Sequence, residues 1–447
     1  MAFANFLWDQ LLPCVGTRNL FVLGLLADTI LNLLGTAVDS YYAFLATKIL
    51  SGVLVAGPFS MVIAYLSEFH SAKYKPSFTR WAGLAMNVAI VGPAVIAILI
   101  LPLPLVVDVF NRRYTAWRIY LLICSAVPVL GLLASGMLPQ SPKYLLQIGK
   151  PEEALRLLRR IYSMNKRKPA DTFPIKQLLV SEFASLSRRS FFEANSEKIR
   201  LACYNAKLLL SSPHLSAVAF LCFLQFASML GFNTMRLWVP YLFTILNNFD
   251  YETWTKDRSP TICEMLDRRM SVPAREYLNC PEFENICTGW TISGKVYENS
   301  AIIAFSAVFF SFLVGTISTS TLRKRTILLA AFALSVVSCF GINWAQLPPY
   351  MLTLASTIIV ATRITGNIVS AVNVDVIPIP LRSTSLNLLT TVGNVAAVLG
   401  NILFSVLLDV ECLAAFVAMG SLLLACFCLS FFHPKSAGTS GKVLDRS

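Results

Sequence analysis

Apolar residues in this chain gather into ten runs, approximately 19 to 38, 43 to 66, 80 to 101, 116 to 138, 214 to 243, 300 to 320, 326 to 344, 349 to 376, 385 to 408 and 412 to 432. Charged residues or proline bound each run. A helix of about 20 residues spans the ~30 Å of bilayer hydrocarbon, so the pattern predicts ten membrane-crossing helices in an all-α, polytopic bundle. Composition agrees. Of 447 residues, 56% are hydrophobic and 14% charged, against about 25% charged in soluble globular chains. A water-soluble surface cannot be built from so few charges.

A net charge of +13 would suggest nucleic acid as the partner of a soluble protein. Here the basic residues stand between the apolar runs, where they set orientation instead, and the bilayer is the expected partner. An even number of spans puts both termini on one side. The segment Pro139 to Pro213, with Lys143, Lys150, Arg156, Arg159, Arg160, Lys166, Arg167, Lys168, Arg188 and Arg189, is predicted to be cytoplasmic. The same parity places Lys73, Lys75, Arg80, the Arg323-Lys324-Arg325 triplet and Arg382 on the cytoplasmic side. Acidic Asp250 to Glu298 then lies outside, and only Arg112 and Arg113 run against the bias. Met1 to Gln10 carries no basic leader, so no removable signal is expected. The predicted organisation is a transmembrane part over 1–138, a cytoplasmic linker over 139–213, a second transmembrane part over 214–432 with an outer loop at 247–299, and a cytoplasmic tail over 433–447.

Within the linker, Pro151 with Glu152 and Glu153 makes a favourable first helical turn. Ala154, Leu155, Leu158 and Ile161 follow at helical spacing, and Ile175, Leu178, Leu179, Glu182, Phe183 and Leu186 repeat the pattern. Both stretches are predicted as amphipathic helices along the membrane face. Cys263, Cys280 and Cys287 in the outer loop, with Cys412 at the start of the last run, could form two disulfides in one of three pairings.

Enzyme motifs fail. His70, His214 and His433 are far apart, so no zinc site is expected, and no Gly-x-Ser-x-Gly elbow occurs. Gly289 to Lys295 matches the first seven positions of a phosphate loop, but Val296 replaces its Ser/Thr; we read the match as chance. No cofactor is expected. The remaining chemistry is polar groups inside apolar runs, where each costs enough that it normally faces protein or water. In the eighth run Arg363, Asn367, Ser370 and Asn373 recur at intervals of four, three and three, with Asp375 nearby. In the fifth run Gln225, Ser228, Asn233 and Arg236 fall near one direction. Both sets are read as lining a solute cavity. Asp28 and Lys48 add intramembrane charge, and Asp28, Asn394 and Asn401 are read as helix-to-helix bonds.

Several stretches resemble the synaptic vesicle glycoprotein 2 and organic ion transporter branch of the major facilitator superfamily. Ser141 to Ala154, S-P-K-Y-L-L-Q-I-G-K-P-E-E-A, is similar to the signature after that family's sixth helix. Trp117 to Tyr120, Tyr65 to Phe69, Asn373 to Val376, Pro380-Leu381-Arg382 and Ala396 to Asn401 also match family positions. Trp8 to Arg18 resembles the loop after the second helix, so the ten runs would be helices three to twelve, with two helices lying before Met1. The resemblance implies latch positions at Gly16, Arg18, Lys48, Gly52, Glu68, Lys143, Arg323 and Arg382. Pro13 and Thr17 depart from the loop pattern. It further implies two halves around a midplane cavity, alternating access, and a monomeric bundle.

The expected function is therefore transport of a small polar or organic-ion solute by alternating access, with a coupling ion as the candidate second partner, in a plasma or vesicle membrane. Gln225, Asn233, Arg236, Arg363, Asn367, Asn373 and Asp375 are the cavity candidates. A non-transporting vesicle protein acting through partner binding, and a truncated inactive carrier, are the alternatives.

Overall fold

A computed structural model describes residues 8, 15–70, 74–109, 112–176, 178, 200, 204, 206–212, 214–249, 259–270, 294–318, 321–378 and 381–432. Each of the ten apolar runs is a helix: α1 Thr17–Ala37, α2 Tyr41–Ser67, α3 Lys75–Ile100, α4 Ala116–Met137, then α7 Leu215–Asn247, α9 Gly294–Ile317, α10 Thr321–Gly341, α11 Pro348–Val376, α12 Arg382–Val410 and α13 Cys412–Leu429. Shorter helices are α5 Pro142–Gln147, α6 Pro151–Lys166 and α8 Ile262–Met270. Among the described residues nine helices are long and apolar enough to cross a membrane; in α3 only Val91–Ile100 counts as an apolar stretch. The first half of α3 carries Lys75, Arg80 and Asn87, which dilute its apolar character.

The helix ends differ from the apolar runs by a turn in places. Helix α9 begins at Gly294 and α7 runs on to Asn247, because polar residues continue the backbone hydrogen bonding after the apolar count stops. Between α3 and α4 the chain forms a hairpin, β1 Val106–Val109 against β2 Arg112–Thr115, with Asp108 opposite Arg113. Their side chains lie 3.9 Å apart. The pairing sets Asp108 beside Arg113, one of the two arginines expected to run against the charge bias.

Helix α6 has Pro151 in its first turn with Glu152 and Glu153, and buries Ala154. Of the second amphipathic stretch, Ile175 and Leu178 lie in irregular chain; the rest is outside the described residues. Cys263 is disulfide-bonded to Cys412, which ties α8 to the start of α13. Cys280 and Cys287 are outside the described residues.

The chain divides into two compact units. One comprises 1–86 and 103–204, the other 87–102 and 205–447, so the divide passes through α3. In the first, α1 packs chiefly on α2 and α4, around Leu20, Phe21, Ala56, Met61 and Tyr65. In the second, α7 is the hub, packed most extensively on α11 and α12. Where α7 meets α12, a Cβ at Gly400 would stand 2.6 Å from Thr234 Oγ1 and 2.7 Å from Leu230 Cγ, so the two backbones can approach only without a side chain there. Ser228 accepts a 2.8 Å hydrogen bond from Thr365 Oγ1 and binds α7 to α11.

Candidate functional site

A cavity of about 130 Å³ opens inside the second unit between α7, α9 and α11. Its aliphatic wall includes Val239, Ile303, Ala307 and Ile359; its charged groups are Arg236 and Arg363, and among the described residues no acidic side chain lines it. The two guanidinium groups share the Phe232 ring, with Cζ 5.6 Å from the centroid for Arg236 and 5.0 Å for Arg363. Each cation–π contact contributes on the order of 0.5–2 kcal/mol. Two like charges that share one ring repel each other, and an anion bound in the cavity that both line would relieve that repulsion. The cavity's only hydroxyl is that of Ser300, and it is already donated to Val296 O at 2.8 Å.

A second cavity, of about 140 Å³, lies between α9 and α11 and includes Ser311, Gly315, Ser318 and Asn367. Thus the eighth-run stripe divides. Arg363 faces the first cavity and Asn367 the second, while Ser370 donates to its own helix at Gly366 O. Asn373 is fully buried and accepts from Ser385 Oγ of α12 at 2.5 Å. The reason is helical drift. At ~100° per residue, Asn373 stands about 120° round the helix from Asn367, facing a different neighbour. Asp375 pairs with Lys324 at 2.6 Å, at the end of α11 and away from both cavities.

The fifth-run set also separates. Gln225 is buried, its Nε2 lying 3.7 Å from where a Gly393 Cβ would be, and Asn233 donates to Met229 O. Of this set Arg236 lines one of these two cavities, and Gln225, Ser228 and Asn233 line neither. Gln225 and Arg236 share a helix face ~16 Å apart along the axis, but α12 covers that face at one end and a cavity opens at the other. Phe232, Ser311 and Ser318 are site residues that the sequence reading missed. The seven-residue spacing of the two serines was the available signal.

In the first unit, Asp28 is 5% exposed and accepts from Ser51 Oγ and from Asn32 Nδ2, the latter at 3.0 Å. Lys48 Nζ donates to Asn32 Oδ1 at 2.9 Å and lies 5.5 Å from the Phe44 ring centre. An amide thus relays between an acid and a base held on neighbouring helices. Nothing lies within 4 Å of where a Cβ would be at Gly52.

The other latch positions gather at helix ends. Gly16 has φ 81°, and a Cβ there would meet the Tyr144 ring at 2.7 Å, so this position demands glycine for both reasons. Arg18 donates to Gly136 O at 2.6 Å, at the end of α4. Glu68 accepts from Ser141 Oγ at 2.5 Å, and Ser141 in turn caps α5 through Tyr144 N. Arg382 donates to Ile377 O at 3.0 Å. Lys143 and Arg323 are exposed.

The family model for "Sugar (and other) transporter" matches residues 3–248. The chain belongs to this family. Synaptic vesicle glycoprotein 2B of Rattus norvegicus is 22% identical over 269 residues, covering 56% of this chain and 39% of that protein. Synaptic vesicle glycoprotein 2A of Homo sapiens is 27% identical over 169 residues, covering 37% and 23%. The chain therefore spans well under half the length of these curated relatives. Among solved structures, the inward-open xylose transporter XylE from E. coli aligns with a TM-score of 0.58 at 13% identity, over 98% of this chain and 84% of that one. The human organic anion transporter MFSD10 aligns at 0.52 and 15% identity, over 96% and 80%. The fold is that of a major facilitator transporter, and the protein is a multi-pass membrane protein.

Proposed function

We propose that the chain carries a small organic anion with an apolar body across a membrane, exposing one site alternately to the two sides. The observation that carries this reading is the pair of guanidinium groups over Phe232 in an otherwise aliphatic cavity. A neutral sugar would need several hydrogen-bonding partners around its hydroxyls. This cavity offers the arginine N–H groups and one hydroxyl already in use. A carboxylate or sulfonate, by contrast, matches the guanidinium fork, and an alkyl or aryl body suits the walls. Arg236 and Arg363 hold the anion, with Asn367 and Asn233 nearby on the same helices. Alternating access is supported by the inward-open and partially occluded states described for XylE. The basic linker supports cytoplasmic termini, in a plasma or vesicle membrane. A coupling ion is compatible with XylE's description as a proton symporter.

The test is uptake of radiolabelled benzoate and xylose into proteoliposomes, with binding followed by thermal shift. Benzoate is expected to be taken up and to stabilise the protein, and Arg363→Met is expected to abolish both effects. Uptake of xylose without benzoate would sink the anion reading. Uptake of neither would favour the alternative of a vesicle protein that acts through partners.

A further inference from the structure

Hydroxyls on helices within a membrane usually turn back to a carbonyl one turn earlier. On α9, Ser300, Ser306 and Thr316 do so, donating to Val296, Ile303 and Leu313. Ser311, and Ser318 just past the end of α9, do not: both hydroxyl oxygens are buried with no hydrogen-bond partner among the described residues, Ser311 being only 9% exposed. Both line the second cavity, with the Asn367 amide across it on α11. A buried hydroxyl left unpaired is costly and calls for a partner. At Gly315, between them, no atom lies within 4 Å of the Cβ position, so the space is open.

The second cavity continues the seam of the first. Helix α9 lines one from Ser300 to Val308 and the other from Ser311 to Ser318. That interval of eighteen residues is ~27 Å long, close to the ~30 Å hydrocarbon thickness. The three polar groups of the second cavity can all donate hydrogen bonds, and no carboxylate is among its lining residues. Arg363 stands one turn from Asn367 on the same helix, so its charge disfavours a cation there.

We propose that Ser311, Ser318 and Asn367 form a second, uncharged binding place for the solute's anionic group, beside the arginine pair. This rests on the reading of the first cavity as an anion site. Guanidinium groups hold an anion strongly and neutral donors more weakly.

The test uses purified full-length protein in detergent, carrying Ser311→Cys or Ser318→Cys. Each is treated with two small methanethiosulfonate reagents, one bearing a sulfonate and one a trimethylammonium group. Modification at that residue is followed by peptide mass spectrometry, and rates are normalised to each reagent's reaction with glutathione. The sulfonate reagent is expected to react at least tenfold faster at both positions. Equal rates would mean a water-filled pocket without preference, a faster cationic reagent a cation site, and no reaction a sealed interior; each overturns the proposal. Should either serine variant misfold, Asn367→Cys reports on the same space. No solute is used, so failure here is separable from failure of the arginine site, which the benzoate binding of Arg363→Met reads independently.

Discussion

The two units treat intramembrane charge in opposite ways. In the first, Asp28 and Lys48 carry opposite signs and are joined through Asn32, with Ser51 completing the acid's bonds. In the second, Arg236 and Arg363 carry the same sign, share one aromatic ring and face a cavity without an acidic wall. A charge closed on itself by neighbouring helices supports the bundle. Two like charges that line one cavity support a ligand. The contrast implies that substitutions in the first unit should act on stability and those in the second on binding.

The largest expected effect breaks the closed network. Lys48→Met removes the charged donor to Asn32 Oδ1 and with it the cation nearest the buried Asp28 carboxylate, which costs about 2–3 kcal/mol; thermal unfolding in detergent should show a clear drop in Tm. The double variant Asp28→Asn/Lys48→Met should recover part of it. If the single variant were as stable as the parent, the network would not be structural.

Next, Arg363→Met should weaken benzoate binding by at least tenfold, about 1.4 kcal/mol or more, while Tm falls by less than in Lys48→Met. Titration by thermal shift reads both quantities together. A fall in Tm comparable to that of Lys48→Met would erase the contrast between the units.

A smaller effect, about 1–3 kcal/mol, is expected for Gly400→Val, which overpacks α12 against Thr234 and Leu230. It should lower stability and leave the benzoate affinity of the remaining folded protein within about twofold.

The smallest belongs to the Lys324–Asp375 pair. Its carboxylate side chain is 34% exposed, so solvent screens it, and Asp375→Asn should cost under about 1 kcal/mol. A loss of benzoate binding in this variant would return Asp375 to the solute site.

Much of this was legible in the order of residues. Ten apolar runs gave ten helices, because only a helix satisfies its own backbone in hydrocarbon. Pro151 with Glu152 and Glu153 announced α6, and Gly16 kept a position that no other residue fits. The site was legible only in part. Arg236 and Arg363 stand out as charges in apolar helices, but Phe232, which they share, looks like any other apolar residue in the sequence. Asn373 and Gln225 share the chemistry of a lining residue yet are buried against α12.

The sequence by itself determined the helices, their polar positions and the arginine pair's chemistry, since these follow from length, periodicity and side-chain charge. Tertiary structure alone decided which polar group meets a cavity and which meets a neighbour. A helix presents every face, and only the packing of α7, α9, α11 and α12 selects among them: close where Gly400 and Ser228 let backbones meet, open where Arg236, Arg363 and Ser311 stand.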